Sequence, residues 1–274
     1  MTSKEQILCA LHETIRQGRP VIACAAGAGL IARLEEKSGA DLIVVYNSGR
    51  YRMNGIASIA GNLPIGDANQ IVYEMGRDQI LPMVRHTPVA AGIYGVDPTR
   101  DMRKFLLSLW ELGYRCVINF PTIGKLSGPI RQELEQVGLG FEREVESLKL
   151  AAELGFVTLA YCYNPEEAEM LARADIDIIV SHVGLTAGGD VGVKTVSPLD
   201  TAIEKTEAIL RAAVNVKKNI IPLCHGGPIV TPQDVGRVLA ETCAAGFVAA
   251  SSIERLPIEN AITSTVQALK SVKK

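Results

Sequence analysis

Two histidines stand at the ends of short apolar segments, where an imidazole could perform acid–base or metal chemistry. His182 ends the segment 178–182, and His225 ends the segment 220–225. Imidazole exchanges a proton near neutral pH and is a common metal ligand. Taken singly, each histidine is explained as a hydrogen-bonded residue at the edge of the core. Together, at matching positions of two successive apolar segments, they indicate a site.

Glycines and serines follow two of these segments. Gly226 and Gly227 come directly after His225, and Ser251 and Ser252 end the segment 247–252. The glycines either make a plain turn or let a carboxylate or phosphate reach bare backbone N–H groups. The serines on the next segment favour the second interpretation, in which they are additional anion donors.

Two acidic residues near segment ends each have two interpretations. Asp97 precedes Pro98, so it either caps a helix that begins there or takes part in chemistry. Glu254 either contacts substrate or forms a solvated charge pair with Arg255.

Polar residues also follow the segment 42–46. We expect Tyr46, Asn47 and Ser48 to contact substrate. Arg50 or Arg52, on the long connection that follows, could clamp a carboxylate with two parallel hydrogen bonds.

Alternating strand and helix patterns must position these residues. Apolar strand-like segments occur at residues 21–27, 42–46, 89–95, 116–120, 157–162, 178–182, 220–225 and 247–252. Helical patterns separate them, at residues 31–38, 68–80, 100–112, 141–154, 166–173, 201–214 and 231–244. Eight such units in about 250 residues predict a (β/α)₈ TIM barrel, whose strand ends converge on one mouth.

The prediction is a single barrel domain over 1–274, with an N-terminal helix at about 4–17 and a C-terminal helix at about 261–272. Connections 47–67 and 121–140 read as long structureless loops, which are usually functional. An open doubly wound sheet is the alternative. The turn after the first strand lacks the dinucleotide fingerprint, so we expect no nucleotide cofactor.

The composition indicates the cellular compartment and argues against one class of partner. The chain has 274 residues, a formal net charge of -2 and a pI of about 6.1, which argues against nucleic acid as a partner. No apolar run reaches membrane-spanning length, and the polar N-terminus predicts no signal peptide. Six cysteines without a C-x-x-C pair fit a reduced compartment. We therefore expect a cytoplasmic protein.

Five segments carry a family resemblance: YNSGRYRMNG, LPIGDAN, VINFPTIG, SHVGLTAGG and ASSIERLPIE. From about residue 18 to about 268 the chain resembles the phosphoenolpyruvate hydrolase-like TIM-barrel family, which also supplies the barrel domain of plant Tm-1 type proteins. The resemblance implies a phosphoenolpyruvate/pyruvate barrel, whose members hold a divalent ion that polarises an α-keto acid. It makes Asp97 a metal ligand or base. Asn119 stands where the mutases carry a glutamate, so the acid pair is incomplete and Asn119 is expected to orient the carbonyl.

A second, local resemblance suggests zinc instead of magnesium. CHGGP is similar to the HGG zinc-ligand turn of class II aldolases, and His182 would be a second ligand beside His225. A third histidine at a strand end is missing.

The expected function is that of a hydrolase or lyase acting on a small α-keto acid or enolpyruvate, by C–C, C–P or C–O cleavage through a stabilised enolate. His182 and His225 would be acid/base groups or metal ligands. The expected partner is a small carboxylate, phosphonate or phosphate, and the family resemblance implies a homo-oligomer. A class II aldolase-like zinc lyase is one alternative. A non-catalytic ligand-sensing barrel, suggested by the missing acid, is the other.

Overall fold

Eight parallel strands close into a barrel in chain order. The structure, a computed structural model, describes residues 3–273. Each strand pairs with the next, and the last pairs with the first. The strands are β1 Val21–Ala25, β2 Leu42–Val45, β3 Val89–Ile93, β4 Cys116–Asn119, β5 Val157–Cys162, β6 Ile178–His182, β7 Ile221–His225 and β8 Gly246–Ala249. The predicted TIM barrel is confirmed.

Helices surround the barrel and account for most of the remaining chain. They are α1 Lys4–Arg16, α2 Gly29–Lys37, α3 Asn47–Met53, α4 Ala68–Met75, α5 Met102–Leu112, α6 Gly128–Gln136, α7 Phe141–Glu153, α8 Pro165–Arg173, α9 Leu199–Val216, α10 Pro232–Glu241 and α11 Arg255–Lys270. Across residues 3–273, none of these helices has both the length and the apolar character needed to span a bilayer.

The two connections read as structureless are partly helical, so that prediction was wrong. Residues 47–67 contain α3 and the 3₁₀ helix Ser58–Asn62, and residues 121–140 contain the 3₁₀ turn Ile123–Lys125 and α6. Helix α3 buries mainly polar residues and a glycine, and α6 buries no residue. Neither helix therefore shows the apolar periodicity from which a helix is recognised in sequence.

The C-terminal helix begins at Arg255, six residues before the predicted start at 261. Pro257 obscured this start, because proline interrupts a helical pattern although the first turn of a helix tolerates it. Glu254 and Arg255 are both buried, at 0% and 4% exposure, so the expected solvated pair is not observed.

Helix α1 closes the end of the barrel at which the strands begin. Its Ile7 and Leu11 belong to the apolar cluster inside the barrel, which also contains Val21 and Val157, the first residues of β1 and β5. Lys4 forms an ion pair with Asp177 (2.8 Å) at the same end. A ligand therefore enters from the opposite end, where the strands finish.

Leu11→Ala should lower the free energy of unfolding by about 2–4 kcal/mol, because it leaves a cavity beneath the closed barrel. Urea unfolding monitored by circular dichroism measures this. Leu34→Ala is the matched control: Leu34 is 47% exposed on α2, and its loss should cost less than about 1 kcal/mol. Equal losses in the two variants would contradict the role assigned to α1.

Candidate functional site

A polar cavity opens at the mouth of the barrel, between the ends of the strands. We call it the mouth cavity. Its lining includes Tyr46, Ser48, Arg52, Ser58, Asn62, Phe120, Lys125, Tyr161, His182, His225 and Ser251. These residues come from β5, β6 and β7 and from the segments that follow β2, β4 and β8. Its volume is only about 30 Å³, which suits a very small ligand.

The two histidines face each other across β6 and β7. His182 pairs with His225 in the strand register, and their ring centroids lie 4.6 Å apart. Both side chains are buried and line the mouth cavity. The predicted adjacency of the two imidazoles is confirmed.

Backbone partners fix a different tautomer in each imidazole. Nδ1 of His182 accepts a hydrogen bond from the Gly184 N–H (3.1 Å), so a neutral His182 carries its proton on Nε2. Nδ1 of His225 donates to the Val248 carbonyl (2.7 Å), which leaves its Nε2 as an acceptor. The pair therefore offers one donor and one acceptor.

Burial keeps both imidazoles neutral. It lowers the pKa of His225 to about 4, and the charges of Arg52 and Lys125 act in the same direction. It also lowers the pKa of His182 well below its usual range, with His225 as the next cause. At neutral pH the donor and acceptor roles are therefore those that the tautomers define.

Two tyrosines extend this cluster across the barrel. The hydroxyls of Tyr46 and Tyr161 are 2.7 Å apart, and the Tyr161 ring lies 5.1 Å from His182 and 5.2 Å from His225. Burial raises the pKa of both phenols. They therefore remain protonated donors at neutral pH.

Arg52 brings a buried positive charge to the mouth cavity. Its Nε donates to Glu254 (2.6 Å) and its Nη1 to Ser48 (3.0 Å). Its Nη2 is buried without a hydrogen-bond partner in residues 3–273, as are both amide atoms of Asn62. Arg52 Nη2 and Asn62 Nδ2 are thus unsatisfied donors, and a small carboxylate could accept hydrogen bonds from both.

Lys125 is the second cation in the mouth cavity, and the sequence analysis did not single it out. It ends the 3₁₀ turn that follows β4, and it makes no hydrogen bond or ion pair within the described chain. Burial lowers the pKa of its amine to about 8. The signal was a lysine just beyond a strand end, in a connection that had been read as structureless.

Asp97 lies in a different place from the histidines. It lines a second, mostly apolar cavity of about 470 Å³ with Tyr94, Thr99 and Ile130. It does not cap a helix: α5 begins at Met102, and Asp101 is its N-cap. Asp101 is the N-cap because its side chain accepts a hydrogen bond from the N–H of the third residue of α5.

The residues present do not fit either expected metal ion. Asp97 accepts from Arg100 (2.9 Å), which also contacts Asp67, so a guanidinium already occupies the position between these two acids. Within the described part of the chain, the two histidines have no third ligand. Among residues 3–273, no group of three or more His, Cys, Asp or Glu side chains could hold a metal ion.

Asn119 ties neighbouring elements together. Its Oδ1 accepts from the Tyr161 N–H (2.7 Å), and its Nδ2 lies within hydrogen-bonding distance of Glu144 (2.9 Å) and the Tyr161 carbonyl (3.1 Å). The amide is saturated by these partners. Asn119 therefore does not line the mouth cavity, and its amide is bound to Glu144 and Tyr161 instead.

The two glycines after His225 let the backbone adopt a conformation that other residues rarely adopt. Both have positive φ (86° and 59°), and the Gly227 N–H donates to the Gly184 carbonyl (2.9 Å). A Cβ on Gly226 would collide with that carbonyl. The Gly227 N–H is thus already bonded to the connection after β6. It is not free for the anion contact that the sequence predicted.

The remaining predicted residues divide between the cavity and its surroundings. Ser251 lines the mouth cavity, and its Oγ lies 3.3 Å from Ser58 Oγ. Ser48 Oγ accepts a hydrogen bond from Arg52. Asn47 donates to the Gly61 carbonyl (3.0 Å), and Arg50 pairs with Glu74 (3.0 Å). Neither lines the cavity, and neither does Ser252. Glu254 contacts Arg52 and not the cavity.

Two solved structures with a similar barrel are a phosphonopyruvate hydrolase and a phosphoenolpyruvate phosphomutase. A phosphonopyruvate hydrolase in complex with oxalate and Mg²⁺ aligns with a TM-score of 0.61 at 19% identity, over 99% of this chain and 86% of that one. A phosphoenolpyruvate phosphomutase from Streptomyces platensis subsp. rosaceus aligns with a TM-score of 0.62 at 16% identity, over 96% and 87% of the two chains. At these identities the likeness concerns the fold.

The chain belongs to the phosphoenolpyruvate hydrolase-like family, which matches residues 6–272 and confirms the resemblance. It is 46% identical over 267 residues to two Solanum lycopersicum proteins, the ToMV susceptible protein tm-1(GCR26) and the ToMV resistance protein Tm-1(GCR237). The match covers 97% of this chain and 35% of each relative. The chain thus spans about a third of the length of these relatives.

Glu35→Gln should stabilise the protein more as the pH rises. Both oxygens of Glu35 are buried without a partner in the described chain, and burial, followed by the charge of Glu254, raises its pKa to about 8. Between about pH 4.3, the unfolded value, and about pH 8, the folded chain holds the extra proton, so stability falls as pH rises. The gain in unfolding free energy should be small near pH 5 and on the order of 2–4 kcal/mol near pH 9.

Glu36→Gln, at the next residue, is the control with the opposite sign. Burial opposes ionisation of Glu36, but the N–H groups of Thr87, His86 and Arg85 lower its pKa. Its stabilising contribution is present above the unfolded pKa and is lost as pH falls. Urea titrations at both pH values compare the variants, and a pH-independent effect of Glu35→Gln would contradict the assignment.

Proposed function

We propose that this barrel is a hydrolase or lyase that cleaves a bond next to the carbonyl of a small α-keto acid, with the reaction at the mouth cavity. The observation that carries the proposal is the pair of cations, Arg52 and Lys125, beside two neutral imidazoles of opposite tautomer. The phosphonopyruvate hydrolase with a similar fold, which holds oxalate, supports the same substrate class.

Substrate binding would rest on buried polar atoms that lack a partner. The carboxylate would take Arg52 Nη2 and Asn62 Nδ2, and the hydroxyls of Ser58 and Ser251 lie near enough to each other to share one anionic oxygen. A bound carboxylate removes the cost of burying these donors unsatisfied.

Proton transfer would be divided between the two histidines. Nε2 of His225 is the acceptor and therefore the general base, and Nε2–H of His182 is the donor and therefore the general acid. Cleavage leaves negative charge on the carbonyl oxygen, which Lys125 and the protonated tyrosines would stabilise in this buried setting. No step requires a metal ion.

The first experiment measures pyruvate or acetate release from phosphonopyruvate, phosphoenolpyruvate, oxaloacetate and acylpyruvates, with and without EDTA. Release that is indifferent to EDTA is the expected outcome. Release abolished by EDTA would instead favour a metal enzyme that uses Asp97. Binding of oxalate without any release would favour a ligand-sensing barrel.

His225→Asn should lower kcat by about 10²–10⁴-fold, because the variant loses the base. Asparagine keeps a donor where Nδ1 contacts the Val248 carbonyl and lacks Nε2, so the fold should survive. Steady-state kinetics measures the loss. Asp97→Asn, in the second cavity, is the control and should keep wild-type turnover; loss in Asp97→Asn alone would place the chemistry elsewhere.

The expected homo-oligomer stays a prediction. Light scattering on the purified chain would test it, and a monomer across the working concentration range would contradict it.

A further inference from the structure

We propose that the amine of Lys125 reacts with the substrate carbonyl to form an imine, and so supplies the electron sink for bond cleavage. This inference rests on the proposed function and narrows it to substrates with a free 2-oxo group. It excludes enol phosphates such as phosphoenolpyruvate, because they present no carbonyl carbon to an amine.

The position of Lys125 is the first argument. It lines the same cavity as both histidines, at the end of the 3₁₀ turn Ile123–Lys125. Two other buried or half-buried cations have carboxylate partners: Arg52 has Glu254, and Lys4 has Asp177. Lys125 has none among residues 3–273, so its amine is free to meet a ligand.

The protonation of Lys125 is the second argument. Burial lowers its pKa to about 8. Roughly a tenth of the side chain is therefore free amine at pH 7, far more than for an exposed lysine. Desolvated lysines of this kind are the nucleophiles that attack carbonyl carbons.

A rigid support for the turn is the third argument. The Ile123 N–H donates to Glu144, and Thr122 Oγ1 donates to the same carboxylate (2.8 Å). Asn119 Nδ2 also donates to this carboxylate (2.9 Å). The buried Glu144 thus fixes the backbone that carries Lys125, and Asn119 is a positioning residue for it.

The chemistry balances without a further reactant. The lone pair of the amine forms a C–N bond to the carbonyl carbon, and the oxygen leaves as water, so that a protonated C=N bond remains. His225 Nε2 takes the proton released by nitrogen and passes it to the oxygen, and His182 Nε2–H gives the oxygen its second proton and is reprotonated from solvent. When the bond from C3 to the leaving group breaks, its electron pair forms a C2=C3 double bond and the C=N electrons return to nitrogen, which gives an enamine. The leaving group departs as CO₂ from a β-carboxylate, or is transferred to a solvent water as phosphate or a carboxylic acid. Protonation at C3 and addition of one water then return the amine and the keto acid product.

Reductive trapping tests this step directly. The full chain is incubated with pyruvate and sodium cyanoborohydride, and intact mass and peptide mapping locate the product. We expect one N-carboxyethyl group per chain, on Lys125. Lys125→Arg keeps the positive charge and should give no adduct at this site and lose turnover. Lys104→Arg changes an exposed lysine on α5. It is the matched control and should behave like the wild-type chain in both measurements.

Other outcomes would overturn the inference. Turnover without any adduct, retained in Lys125→Arg, would leave the proposed function standing and reject the imine. Equal labelling of many lysines would show ordinary surface reactivity and would also reject it. A specific adduct on Lys125 without turnover of any keto acid would support the reactive amine and reject the proposed function. Trapping on the wild-type chain does not depend on whether a variant folds.

Discussion

Burial of charge at the carboxyl end of the barrel is the constraint on which the rest of the mouth depends. Arg52 and Glu254 are 202 residues apart and both almost fully buried, and their ion pair joins α3 to the start of α11. Glu254 also receives the Gly27 N–H beyond β1. A Cβ on Gly27 would collide with Glu254, so a bare glycine is needed there. Removing one partner would leave an uncompensated charge, at a cost of about 3–5 kcal/mol.

The same burial sets the protonation of the remaining groups. Arg52 and Lys125 add positive charge to a desolvated space, and His182 and His225 respond by staying neutral. Neutral imidazoles with different tautomers can accept and donate in one step, whereas two imidazolium ions could only donate. The positive charge of Lys125 thus helps to keep both histidines neutral.

The sequence predicted the barrel well because the relevant signals are local. Apolar runs that end at glycine or polar residues located all eight strands, and chain order made β6 and β7 neighbours, which placed His182 beside His225. The pairing of Arg52 with Glu254 could not be read in this way, since it joins opposite ends of the chain. Lys125 was missed because its turn carries no apolar period, and the capping interpretation of Asp97 was wrong because Asp101 is the N-cap of α5.

The end of β4 is where this chain departs most from the expected metal site. A carboxylate pair on β3 and β4 would need a cation between them. Here β4 ends in the neutral Asn119, and Asp97 after β3 is matched by Arg100. The turn after β4 instead brings the amine of Lys125 to the mouth, while Asn62 lines both cavities and forms part of the wall between them. The turn thus places a positively charged side chain at the strand end where the family resemblance implies a metal ion.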